Sequence, residues 1–177
     1  MDIIVTGEAG SGKTAVCQKV IGMVRDKGYT CGGVVCRKAA LDNIVVIDLQ
    51  SGEKETLAGI DDVWHGPRVG KHFYNPAGIE FAVKAIEKGV GCDFLFVDEI
   101  GHLERKGEGF ASALRWFGTE RANSAVAVVR KELLEGFSSR FGLKPAILEA
   151  SRDNRDELPQ IICSYLFHNF LQLIEGG

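Results

Sequence analysis

The sequence predicts an α/β fold: three layers, with a mostly parallel central sheet and an antiparallel β-hairpin added to it. Three observations carry that prediction. Residues 7–14 (GEAGSGKT) fit the phosphate-binding pattern G-x-x-x-x-G-K-[ST], the P-loop. Short apolar runs alternate with helical ones, as in a sheet covered by helices on both faces. The run 93–99 (DFLFVDE) is apolar apart from its first residue until it ends in two carboxylates, and the strand ends of parallel sheets are where ligands bind.

Taken in order, residues 2–6 (DIIVT) read as a short buried strand and 15–27 as a helix. That is the strand–loop–helix setting a P-loop needs, and a chance match occurs only about once in a hundred chains of this length. Gly28 ends the helix. Residues 30–37 (TCGGVVCR) and 43–49 (NIVVIDL) read as strands, followed by a Ser51-Gly52 turn and a charged strand or loop at 53–57, which together make the antiparallel excursion. Residues 61–75 carry Gly, Pro, His and Trp in quick succession and read as irregular. Pro76 is placed to open a helix to Lys88, with Ile79, Val83 and Ile86 on its inner face. A strand at 93–98, a helix at 110–117 and a strand at 124–129 (SAVAVV) come next. A helix at 131–140, a short strand at 146–150 and a helix at 155–175 complete the order. Without repeats or low-complexity linkers, residues 1–177 are expected to form one domain.

Composition narrows the function. With 177 residues and 45% apolar content there is ample core. A net charge of −3 gives no general attraction to nucleic acid or an anionic membrane. Cys17, Cys31, Cys36, Cys92 and Cys163 are odd in number and lack a CxxC pair, so buried free thiols in a reducing cytoplasm are expected, not structural zinc. Met1 leads directly into the first strand, so no signal peptide is expected. The longest apolar run, 161–174, is too short for a membrane span and is broken by Ser164, His168, Asn169 and Gln172.

The chemistry is concentrated in two stretches. Gly7, Glu8, Ala9, Gly10, Ser11, Gly12, Lys13, Thr14 and the adjoining Ala15 are the candidates for holding a nucleotide: glycines curl the backbone so that its N–H groups cradle phosphate oxygens. Lys13 then reaches the β- and γ-phosphates, and the Thr14 hydroxyl can ligate Mg²⁺. Asp98, at a strand end, can hold the same Mg²⁺, directly or through water. Glu99, next in line, can take a proton from an attacking water. The other reading of this acidic pair is a solvated strand end. A strand intervening between the P-loop and Asp98 matches the ATPase branch that uses a catalytic glutamate.

The run Asp98-Glu-Ile-Gly-His-Leu-Glu104 resembles the Asp-Glu-Ile-Gly-Lys-Met-Glu signature of the small nucleoside-triphosphatase family, also called the thermophile or cancer-related nucleoside-triphosphatases. The P-loop, the stretch Arg68-Val-Gly-Lys-His72 ahead of the helix with Glu80, and Asn154-Arg-Asp156 agree with it, in the right order over essentially the whole chain. The resemblance implies a P-loop NTPase fold and slow, broad, Mg²⁺-dependent hydrolysis of nucleoside 5′-triphosphates, ATP and GTP among them, to diphosphate and phosphate. Two positions depart from the family: Ala15 stands where Thr or Ser is usual, and His102 where the family has Lys. The plain reading of His102 is an exposed histidine at a helix start.

Several cations are candidates with an equally plain surface reading. Arg130 follows the 124–129 strand, where related ATPases often carry a polar sensor of the γ-phosphate. Arg68 and Lys71 lie in a segment with His65, Gly66, Pro67 and Gly70 that suits a lid. Arg37 ends the 30–37 strand. Asn154 and Arg155 follow the last strand, where Arg155 could stack on a base without reading it; alternatively Asn154 caps the final helix. Two other functions stay open: a nucleoside or nucleotide kinase with a second acceptor site, and a non-enzymatic nucleotide-binding adapter. Oligomeric state is also open, since an arginine finger from a neighbour leaves no local signature.

Overall fold

The computed structural model describes residues 2–117, 119, 124–141 and 145–175, with the backbone alone at 138–141 and 169–175. In chain order the elements are β1 (Ile3–Thr6), α1 (Lys13–Asp26), β2 (Cys31–Lys38), β3 (Ile44–Asp48), β4 (Lys54–Gly59), β5 (Arg68–Val69), β6 (His72–Tyr74), α2 (Pro76–Gly89), β7 (Phe94–Ile100), α3 (His102–Lys106), β8 (Ala125–Val129), α4 (Leu134–Phe141), β9 (Ala146–Glu149) and α5 (Leu158–Glu175). They form a nine-stranded sheet in the order β5-β6-β4-β3-β2-β7-β8-β1-β9. The five strands from β2 to β9 in that order run parallel, and β3, β4, β6 and β5 add an antiparallel wing.

The sequence pattern dictates the three layers. In the parallel half, β1, β7 and β8 are apolar at nearly every position because both faces are covered. Alternate residues then serve opposite cores. Leu95, Val97, Ala125, Ala127 and Val129 face α2, Phe110, Leu114 and Phe117. Phe94, Phe96, Val126, Val128, Ile3 and Val5 face Val16, Val20 and Val24 of α1 and Leu158, Ile162 and Leu166 of α5. All five cysteines are free thiols and buried: Cys17, Cys31 and Cys163 belong to the layer under α1 and α5, and Cys36 to the opposite one. Strand β8 lies between β1, which feeds the P-loop, and β7, which carries Asp98.

Some local readings change, and others gain detail. The helix expected at 110–117 is a single short 3₁₀ turn, Ala113–Trp116. The segment expected to be irregular contains the β5–β6 hairpin, turned at Gly70 (φ 58°) with Val69 opposite His72; strands of two and three residues are too short to show a period. The last helix begins at Leu158, not 155, because Pro159 marks its first turn and the preceding residues turn back on Asn154. In α2, Ile86 is buried while Ile79 and Val83 are half-buried. The closest approach to the sheet is made by small residues, Gly78, Ala82, Ala85 and Gly89. A Cβ on Gly89 would lie 2.3 Å from the Gly33 nitrogen and 2.7 Å from the Gly32 carbonyl carbon.

Those neighbours are backbone and cannot yield. Gly89→Ala is therefore expected to destabilise by about 1–3 kcal/mol, although alanine is the better helix former. Gly22→Ala on α1, where a Cβ meets nothing within 4 Å, is expected to stabilise by about 0.5–1 kcal/mol. Urea-unfolding midpoints check both; equal midpoints for the two variants would contradict the seating of α2 on β2.

Candidate active site

The P-loop joins β1 to α1 and bends as its glycines allow. Gly7 has φ 141° and Gly12 φ 98°. At Gly7 a Cβ would lie 2.3 Å from the Ala150 carbonyl oxygen, so a side chain is excluded by space as well as by conformation. Gly12 ends the loop and α1 starts at Lys13 with no side-chain cap, leaving first-turn N–H groups available to an anion. Glu8, Ala9 and Gly10 are exposed along the loop, and Ser11 is buried with its hydroxyl unpartnered. Lys13 turns back on the loop, donating to the carbonyls of Gly7 (2.7 Å) and Glu8 (2.8 Å). Burial lowers its pKa, opposed mainly by the negative charge of Glu99.

Across β8, Asp98 is fully buried. Its Oδ1 accepts from the Thr14 hydroxyl (3.2 Å) and the Glu99 N–H (2.9 Å), and its Oδ2 from the Cys36 N–H (3.2 Å). Burial first, and the nearby Glu99 charge second, push its carboxyl up to about 7. Glu99 follows with φ 65°, a left-handed conformation that costs a non-glycine residue about 1–2 kcal/mol. It sits where the β7–β8 register shifts between Val97 and Ile100, so this bulge re-aims its side chain. The Glu99 carboxylate is one-third exposed, 4.0 Å from the Arg130 guanidinium.

Lys13, Thr14, Glu99 and Arg130 line one cleft of about 540 Å³, within the usual size of small-molecule sites, and Asp98 lies buried directly behind Thr14. One wall is the P-loop with Ala15 and Gln18; the other is Cys36, Arg37, Lys38 and Ile44; Glu99, Ile100, Val128, Arg130 and Glu132 complete it. A cation fits the donor set formed by the Thr14 hydroxyl and the Asp98 carboxylate, both hard oxygens of the kind Mg²⁺ prefers. Among the described residues no group of three or more His, Cys, Asp or Glu forms an all-protein metal cage, and Mg²⁺ at phosphate sites needs none.

The structure brings together Lys13, Thr14, Asp98, Glu99, Arg130 and Arg37. Arg155 also reaches the P-loop: its stem packs over Gly12, where a Cβ would lie 3.4 Å from its Cδ. The Asn154 side chain is engaged within its own loop. It accepts from the Ser151 N–H (2.8 Å) and donates to the Glu149 carbonyl (2.9 Å), shaping the β9–α5 loop; only the residue's backbone carbonyl reaches Leu158 at the helix start. Arg68 is not brought to the cleft. It lies over the Phe73 ring (5.0 Å) and donates to the Gly70 carbonyl. Lys71 pairs with Asp42, Glu80 with Lys84 on the α2 surface, and His102 faces Glu132 at 3.8 Å. Gln18, Lys38, Ile44 and Glu132 were not singled out from sequence; only Gln18, one turn beyond Thr14 on α1, stood where helical periodicity could have found it.

Fold and site together define a P-loop NTPase with a strand between its phosphate loop and its acidic strand. Residues 2–163 match the family described as NTPase, and the chain belongs to that family. The nucleoside-triphosphatase THEP1 of Archaeoglobus fulgidus is 31% identical over 170 residues, 92% of this chain and 99% of the relative. The THEP1 of Methanopyrus kandleri is 34% identical over 122 residues, 64% of this chain and 65% of the relative. Among solved structures, THEP1 from Aquifex aeolicus aligns with a TM-score of 0.73 at 21% identity, over 94% of this chain and 99% of that one. A human cancer-related nucleoside triphosphatase gives 0.72 at 20% identity, over 93% and 96%.

Asp98 generates a pH prediction. An unfolded aspartate titrates near 3.9, whereas in the fold this one titrates at about 7, so the folded chain holds the proton more tightly. The stability this contributes is fully present below the unfolded value and is lost as pH rises through about 7. Without divalent cations, wild type is expected to lose up to about 1.4 kcal/mol per pH unit relative to Asp98→Asn between about pH 4 and 7. Thermal unfolding of both proteins across that range checks it; parallel curves would contradict the raised value.

Proposed function

We propose that the chain hydrolyses nucleoside 5′-triphosphates to diphosphate and phosphate, with Mg²⁺ and little discrimination between bases. The observation that carries this reading is the convergence of Lys13, Thr14 and Glu99 on one cleft, with Asp98 bonded behind Thr14 and Glu99 held in a strained conformation beside the phosphate loop. Strain of this kind persists where the surrounding structure imposes it and clusters at working sites. The relatives, named nucleoside-triphosphatases, support the same reaction.

In this reading the loop amides and the first turn of α1 bind the phosphates, and Lys13 exchanges its two carbonyl partners for phosphate oxygens. Thr14 and Asp98 would hold Mg²⁺, which when bound neutralises charge on the phosphates. Glu99 orients a water and takes its proton as the water oxygen attacks the γ-phosphorus and the bond to the β–γ bridging oxygen breaks. Arg37 and Arg130 add positive charge on the far side of the cleft. Arg155, whose stem packs over Gly12, could offer a base a stacking surface without hydrogen-bond readout, in keeping with broad base use. Against the kinase alternative stands the engagement of Arg68 and Lys71 with Gly70, Phe73 and Asp42, away from the cleft.

Phosphate release from ATP, GTP, CTP and UTP, with and without Mg²⁺, tests the reading. Release is expected with all four and to require the metal. Lys13→Ala should abolish binding, and Glu99→Gln should bind nucleotide while turning over at least about a hundredfold more slowly. Normal turnover in Glu99→Gln would refute the role of Glu99, and a strict preference for one base would refute breadth.

A further inference from the structure

Glu104 takes no part in the chemistry above, yet the fold removes it from water, leaving it 4% exposed. A carboxylate is kept dry only where it is well bonded. Its Oε2 accepts from the Gly101 N–H at 2.7 Å and its Oε1 from the Phe110 N–H at 2.8 Å. The loop ahead of Phe110 is moulded around it: at Gly109 (φ 59°) a Cβ would lie 2.1 Å from Oε1.

Gly101 is two residues beyond Glu99, so this grip bears on the strained backbone at the reaction centre. The Glu99 N–H is fixed by Asp98 Oδ1 at 2.9 Å. Ile100 pairs with Val129 on β8, and its carbonyl accepts from the Arg130 N–H at 3.4 Å. The Gly101 N–H is fixed by Glu104. The peptide carrying Glu99 is thus held before, beyond and at its exit, where among the described residues Glu104 is the partner of the Gly101 N–H.

We propose that Glu104 is a positioning residue: by gripping Gly101 and Phe110 it holds Glu99 left-handed and keeps its carboxylate aimed into the cleft. This rests on the reading of Glu99 as the group that orients water. The competing role is purely structural. Glu104 is the third residue of the five-residue helix α3 and reaches back to the residue before it, as in half of a capping box; a cap alone governs stability and leaves turnover untouched.

A double-mutant cycle separates the two. Turnover with ATP, ADP affinity by calorimetry and melting temperature are measured for wild type, Glu104→Gln, Glu99→Gln and the double variant. A glutamine can accept at one of the two N–H groups only, because its other terminus is itself a donor. Glu104→Gln is expected to lower kcat by about ten- to a hundredfold with ADP affinity within about twofold of wild type. The double variant is expected to be no slower than Glu99→Gln. Unchanged kcat in Glu104→Gln, or a double variant slowed again by the full factor of the single one, overturns the proposal. Normal turnover in Glu99→Gln instead overturns the reading of Glu99 on which this rests, so the two failures are distinguishable. If Glu104→Gln does not fold, Glu104→Asp, charged but one methylene too short to grip both N–H groups, carries the same expectations and is judged the same way.

Discussion

The fold is organised around a carboxylate that has to be dry. Asp98 accepts bonds from β2, from its own strand and from α1, so three separately folded pieces converge on one side chain. Each bond depends on a feature of the architecture. The Cys36 N–H is in reach because β2 and β7 pair in parallel with Val34 opposite Val97. The Thr14 hydroxyl is in reach because the P-loop returns the chain over β8 towards β7. Were the carboxylate exposed, water would satisfy it and none of these distances would need to hold. A positive charge beside Asp98 would offset the desolvation penalty that otherwise favours the protonated form.

Sequence made this half of the molecule legible because its signals are local. Gly7, Gly12 and Lys13 are fixed by what a backbone must do around a phosphate, and the apolar run ending at Asp98 by what a doubly covered strand must be. The five-strand parallel half followed from the same logic. What sequence could not give was which partner each side chain finds once the chain has folded, near or far. Arg68 reads as a lid cation until the β5–β6 hairpin turns it onto Phe73. Asn154 reads as base-contacting or capping until Ser151 and the Glu149 carbonyl claim its side chain. Lys38, Ile44 and Glu132 belong to no motif, and only tertiary folding makes them walls of the cleft. The conformation of Glu99 is likewise invisible in the letters, since a bulge is a relation between β7 and β8.

Charge in the cleft is arranged as pairs that can be exchanged. Lys13 is bonded to carbonyls of its own loop, and Arg130 stands 4.0 Å from Glu99. A phosphate oxygen is a stronger partner for Lys13 than the neutral carbonyls it holds here. Arg37 and Lys38 line the opposite wall at the exposed end of β2, keeping that wall electropositive. The acidic chain as a whole carries −3, so attraction for a polyanion is a property of this cleft and not of the general surface.

The buried thiols have one further consequence. Burial raises the Cys17 and Cys36 thiols well above their ordinary range, and those of Cys31 and Cys163 to about 11. Thiolate, the form that attacks electrophiles, is therefore scarce while the layers stay closed. Because Cys17, Cys31 and Cys163 lie on one side of the sheet and Cys36 on the other, a labelling reagent can reach each set only when its own layer parts from the strands. The chain thus carries native reporters of its breathing, and the order in which its sulfurs become reactive tells which half of the molecule opens first.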